Sequence, residues 1–122
     1  MILPEGENIM ARIERVIEKI DKLGKKHNLG ALAKMVDDPD DEVREAVARS
    51  LGQIPTYESG TQLIPLLRDS VSAVKAAAAE SVGLICAKQC EEYVKKLAYA
   101  DPDPEVRRIA HEAYNKIRTR VI

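Results

Sequence analysis

The chain has 122 residues, 45% of them hydrophobic and 32% charged, with a formal net charge of −1. That length makes one ordinary domain, able to bury a core without disulfides or metal. The balance excludes a disordered, highly charged chain, and the near-zero net charge supplies no global field toward nucleic acid or an anionic membrane.

The first predicted element spans residues 7–24. Ile9, Met10, Ile13, Val16, Ile17, Ile20 and Leu23 recur at helical spacing, with Gly24 as the expected stop. Arg12, Glu14, Arg15, Glu18, Lys19, Asp21 and Lys22 fall on the other face. One apolar face and one charged face suit a cap over the open core of a repeat stack. A partner-binding or dimerising helix is the alternative.

Three helical pairs are predicted next, over residues 28–55, 60–86 and 89–118. The second helix of each pair aligns with the others without gaps. These helices begin at Val43, Val74 and Val106, 31 and then 32 residues apart. Their apolar stripes are Val43, Ala46, Val47, Ser50, Leu51, Ile54; then Val74, Ala77, Ala78, Ser81, Val82, Ile85; then Val106, Ile109, Ala110, Ala113, Tyr114, Ile117. That spacing marks one face of an α-helix, and a strand would alternate instead. Shorter apolar helices precede them, marked by Leu29, Leu32, Ala33 and Val36, by Leu63, Ile64, Leu66 and Leu67, and by Val94, Leu97 and Ala98. Asp37-Asp38-Pro39-Asp40 and Asp101-Pro102-Asp103-Pro104 form the turns within the first and third pairs. Asp40 and Asp103 are placed as N-caps, and Pro104 stands at the first helical position, where its missing N–H costs nothing. The middle turn, Asp69-Ser70-Val71-Ser72, lacks proline and an evident cap, and is expected to be the loosest. The fold class is therefore all-α: a short α-α superhelix of about seven antiparallel helices.

The repeated pattern is Asp, a basic residue six positions on, and an Ala-rich helix ending in Gly. It reads Asp38/Arg44/Gly52, then Asp69/Lys75/Gly83, then Asp101/Arg107 with Asn115 in the glycine position. Over about residues 28–118 the chain resembles the HEAT repeats, and within them the HEAT-like repeats first associated with phycobiliprotein lyases; Pro65, in the first helix of the middle pair, matches a proline common in these repeats. The resemblance implies a structural ladder between neighbouring repeats, formed by Asp38, Asp69 and Asp101 with Arg44, Lys75 and Arg107. Lysine lacks the planar fork of arginine, which makes the middle rung the weaker one. Gly52 and Gly83 would let the chain turn and the next helix approach.

No Gly-rich phosphate loop, Ser/His/Asp set or nucleophile elbow is present, so no catalytic residue and no cofactor is assigned. Cys86 and Cys90 stand four apart without two further ligands nearby, and read as small buried residues. His111-Glu112 invites comparison with the His-Glu pairs of HEAT-like deoxyhypusine hydroxylases, but it is a single pair in the wrong register. No metal site is assigned. Some HEAT-like proteins are DNA glycosylases. Here the basic tail (Arg107, Arg108, Lys116, Arg118, Arg120) is offset by Glu105 and Glu112, with Tyr114 assigned to the core. Two cysteines, no signal-peptide pattern and no apolar run of membrane-spanning length point to a soluble cytoplasmic protein.

By the resemblance, the other side of the second helices lines a concave face. It holds Glu45, Ala48, Arg49 and Gln53, then Ala76, Ala79, Glu80 and Leu84, then Arg108, His111, Glu112 and Lys116. Ala76, Ala79 and Leu84 would form a shallow apolar floor between Arg49 and Arg108. The expected function is a non-catalytic adaptor binding a segment of another protein there. The alternatives are a lyase or lyase-chaperone acting on a tetrapyrrole-binding protein, and a DNA-binding module.

Overall fold

The computed structural model describes residues 8–119. Its elements are α1 (Ile9–Lys25), α2 (Leu29–Ala33), α3 (Asp41–Leu51), α4 (Tyr57–Leu67), α5 (Ser72–Leu84), a 3-10 turn (Lys88–Cys90), α6 (Glu91–Ala100) and α7 (Pro104–Thr119). Among the described residues there is no strand. The protein is an all-helical short solenoid. Side-chain caps set several of the boundaries. Asn8 accepts from Ala11 N–H (2.8 Å), Asp40 from Glu42 N–H (2.8 Å), and Asp103 from Glu105 N–H (2.8 Å). Thr56 caps α4 through Ser59 N–H (3.1 Å), so that helix begins at Tyr57, three residues ahead of the expected residue 60.

The helices form two layers. The odd-numbered helices pack side by side in chain order, α1 on α3, α3 on α5 and α5 on α7, while the even-numbered ones touch one another much less. Close spacing in one layer and wide spacing in the other curves the stack toward the closer layer, so the odd helices line its inner side. Small residues permit that spacing. Counting Val43, Val74 and Val106 as position one, the sixth and tenth positions are Ala48 and Gly52 in α3, and Ala79 and Gly83 in α5. Ala48 and Ala79 are fully buried, because this row faces the next helix of the stack. A Cβ on Gly52 would stand 2.5 Å from Ser81 Oγ, and one on Gly83 would stand 3.0 Å from Ala113 Cα.

The same contact recurs one step earlier. A Cβ on Gly24 would lie 2.8 Å from the Ser50 Cβ. Ser50 Oγ donates to Ile20 O (3.2 Å), as Ser81 Oγ donates to Ala48 O (2.6 Å). Thus α1 occupies the place of a second helix from a preceding unit, with Ile20 and Gly24 in the roles of Ala48 and Gly52. Ile20 is fully buried, and Val16, Ile17 and Leu23 pack against the core, but Ile9 (63% exposed) and Met10 (60%) lie outside it. The expected apolar stripe of α1 therefore covers the core only along its later turns.

The glycines also differ in role from the sequence reading. Gly52 keeps right-handed helical backbone (φ −67°), and Gly24 and Gly83 lie inside their helices. The left-handed turns belong to His27 (φ 54°) and Cys86 (φ 50°). These residues close α1 and α5 with wide backbone bonds, Asn28 N–H to Leu23 O (2.9 Å) and Ala87 N–H to Val82 O (3.0 Å). The glycines allow close approach, and the chain turns elsewhere.

Candidate partner-binding surface

Two of the expected rungs form across repeats, Arg44 with Asp69 and Lys75 with Asp101, whereas among the described residues Asp38 and Arg107 bond within their own turns. Arg44 Nε donates to Asp69 Oδ2 (2.7 Å) and Nη2 to Asp69 Oδ1 (3.1 Å), so the fork of one repeat grips the aspartate of the next. Its Nη1 donates to the carbonyls of Asp38 (2.8 Å) and Pro39 (3.3 Å), which braces its own turn. Lys75 Nζ reaches Asp101 Oδ2 at 2.5 Å. Arg107 braces its turn as Arg44 does, through the carbonyls of Asp101 (2.7 Å) and Pro102 (3.2 Å). Each aspartate also closes its turn by accepting from the backbone N–H two residues on, at Asp40, Val71 and Asp103, each 2.9 Å. The middle turn is therefore closed by the same bond as the others. What it lacks is a side-chain cap on α5, whose N-cap is Val71.

Burial by itself would raise the Asp69 carboxyl. The hydrogen bonds from Arg44 and from Val71 N–H outweigh it and hold the group below the ordinary carboxylate range. Arg44 is raised in turn, chiefly by its hydrogen bond to Asp69. Asp103 is lowered by the N–H groups of Val106 and Glu105 that it caps.

The residues expected on the concave face do not all reach it. Ala79 is buried between α5 and α7, as Ala48 is between α3 and α5, so it is not part of an apolar floor. His111 holds the same sixth position in α7, where it turns to the end of the stack and meets Tyr99 edge-on, with ring centroids 4.8 Å apart. Sequence reasoning placed this row among the exposed residues because alanine suits a surface helix as well as a tight interface.

The remaining residues other than Gln53 and Ala76 lie along two grooves between successive inner helices. One, of about 480 Å³, runs between α1 and α3 and is lined by Ile17, Asp21, Glu42, Glu45, Ala46 and Arg49. The other, of about 240 Å³, runs between α5 and α7, with Leu84 and Ile109 beside Glu80, Arg108, Glu112 and Lys116. Leu84 is 60% exposed, whereas Ala76 is half-buried and Gln53 exposed. The rim arginines are engaged within their own helices. Arg49 pairs with Glu45, and Arg108 bonds Glu105 through Nε (3.0 Å) and Glu112 through Nη1 (2.7 Å). Among the described residues, Glu80 and Lys116 form no ion pair.

Cys86 and Cys90 do not share a helix face. Cys90 is fully buried against Gly60 O (3.3 Å), and burial pushes its thiol up to about 11, while Cys86 is half-buried in the left-handed turn. Among the described residues, no group of three or more His, Cys, Asp or Glu is placed to hold a metal ion. Among them, too, no helix is long and apolar enough to cross a membrane.

Comparison with known proteins agrees with this geometry. The family model for HEAT repeats matches residues 5–82 and again 60–121. Curated proteins yielded no match. Two overlapping matches over nearly the whole chain, with small-residue inner helices and a basic-to-aspartate bridge at each of two junctions, place this chain in the HEAT-repeat family.

Proposed function

We propose that the chain is a non-catalytic adaptor that binds a segment of a partner protein along the inner face, centred on the groove between α5 and α7. HEAT repeats commonly mediate protein–protein interaction. The observation that carries the choice of groove is Leu84: a large apolar side chain, 60% exposed, at the end of α5 and lining the groove between α5 and α7. An exposed leucine lining a charged groove suits an apolar anchor from a partner, and the charged rim supplies orientation. Glu80 and Lys116 are the rim charges open to new pairs. Arg108 would have to exchange Glu105 or Glu112 for a partner carboxylate, which costs little because exposed pairs contribute little.

The test is site-specific photo-cross-linking in the native cell, with the photoreactive residue at position 84 or, as control, at exposed Tyr57 on the other layer. The adaptor reading predicts a discrete protein adduct from position 84 that disappears when Lys116 and Glu80 are reversed in charge. Adducts from position 57 alone, or adducts to nucleic acid from position 84, would overturn it.

A further inference from the structure

The bridges described above tie each repeat to the next, and among the described residues the last basic residue in the series, Arg107, meets no aspartate of a following repeat. Arg107 is held in the same pose as Arg44. Its Nη1 is fixed on Asp101 O (2.7 Å) and Pro102 O (3.2 Å), just as Arg44 Nη1 is fixed on Asp38 O (2.8 Å) and Pro39 O (3.3 Å). In Arg44 this bracing leaves Nε and Nη2 pointing at the next repeat, where they grip Asp69. Among the described residues, no carboxylate stands at the corresponding edge of Arg107. We propose that this edge, at the α7 end of the stack, is a binding site for an aspartate or glutamate side chain of a partner protein.

The neighbouring residues define how that carboxylate arrives. Arg107, His111 and Asn115 follow one another at helical spacing, on the row that meets the next helix elsewhere in the stack. In α3 this row is Arg44, Ala48 and Gly52, and in α5 it is Lys75, Ala79 and Gly83. Each internal junction has glycine at the last of these positions (Gly24, Gly52, Gly83), where an added Cβ would come within 3.0 Å of the next helix, whereas Asn115 carries a side chain there. A further helix in the internal register is therefore kept away, although the carboxylate-gripping edge is retained. The occupant that fits is an acidic loop or extended segment laid across the end. Exposed Tyr99, edge-on to His111, and Arg118, which stands 5.3 Å over the Tyr114 ring, add aromatic and cationic surface to the same end of the molecule. This surface is distinct from the groove at Leu84, so the two proposals stand or fall separately.

The experiment titrates the full chain with a blocked Ser-Asp-Pro-Asp-Glu peptide and follows the arginine Nε–H signals by NMR. The expected result is a saturable shift of Arg107 Nε–H, with His111 and Tyr99 responding and Arg44 silent. The all-Asn/Gln version of the peptide should leave the signal unmoved. Arg107→Gln should weaken binding about tenfold or more, the scale of a lost bidentate charged pair. Because Arg107 also braces its turn, Arg107→Lys serves as the second variant. Lysine is already accommodated at this position by Lys75, so the fold should persist while the peptide affinity falls. Equal shifts across all arginines, unchanged binding by Arg107→Gln, or displacement of the peptide by equimolar inorganic phosphate or a single-stranded oligonucleotide would overturn the proposal.

Discussion

The α3–α5 and α5–α7 junctions use the same architecture with different amounts of directional bonding. At the first, Arg44 grips Asp69 with two bonds, Ser81 Oγ donates to Ala48 O, and Gly52 sits under Ser81. At the second, Lys75 makes one bond to Asp101, Ala113 replaces the serine, and Gly83 sits under Ala113. Both nevertheless bury their alanine fully, Ala48 at the first and Ala79 at the second. Close packing of Ala and Gly thus builds the stack, and the polar bridges set how firmly each junction is held. The less firmly bonded junction is the one that carries exposed Leu84.

The largest effects should come from removing the aspartates. Asp69→Ala strands a half-buried guanidinium and opens the Val71 turn, and should cost about 3 kcal/mol, against about 2 kcal/mol for Asp101→Ala, in urea unfolding. The acid limb of stability follows from the same residue. Asp69 is lowered in the folded protein, so its contribution is fully present above the unfolded carboxylate value and disappears as pH falls through the folded one. Asp69→Asn should flatten that limb below about pH 4. Next in size is Gly52→Ala, whose Cβ would displace Ser81 Oγ and its bond to Ala48; about 2 kcal/mol of lost stability is expected. Lys75→Arg should make the second junction resemble the first, with a gain of about 0.5–1 kcal/mol in the same unfolding measurement. The smallest effect tests the turn rather than the bridges. Cys86→Gly relieves a left-handed non-glycine residue and should raise stability by about 0.5–1 kcal/mol.

The repeats were legible because three stripes share one helical phase, and an Asp followed six residues later by a basic residue marks each turn. The inner and stack-facing sides of the second helices were harder to separate. Ala48 and Ala79 carry no residue-type signal that distinguishes a tight interface from a surface, and His111 occupies the same row with a polar side chain. The role of α1 was hidden for a related reason. Its contact runs through Gly24 and the Ile20 carbonyl, and backbone acceptors leave no mark in a sequence. Its early apolar residues, Ile9 and Met10, suggested a longer buried stripe than packing provides. The left-handed turns fall on His27 and Cys86, whereas a sequence reader assigns such turns to glycine.

The comparison of junctions is tested most directly by two double-mutant cycles, Arg44→Ala with Asp69→Ala and Lys75→Ala with Asp101→Ala, measured by urea unfolding under identical conditions. The account predicts a coupling energy of about 2 kcal/mol for the first pair and about 1 kcal/mol for the second. Equal couplings, or a larger one for Lys75 and Asp101, would contradict it.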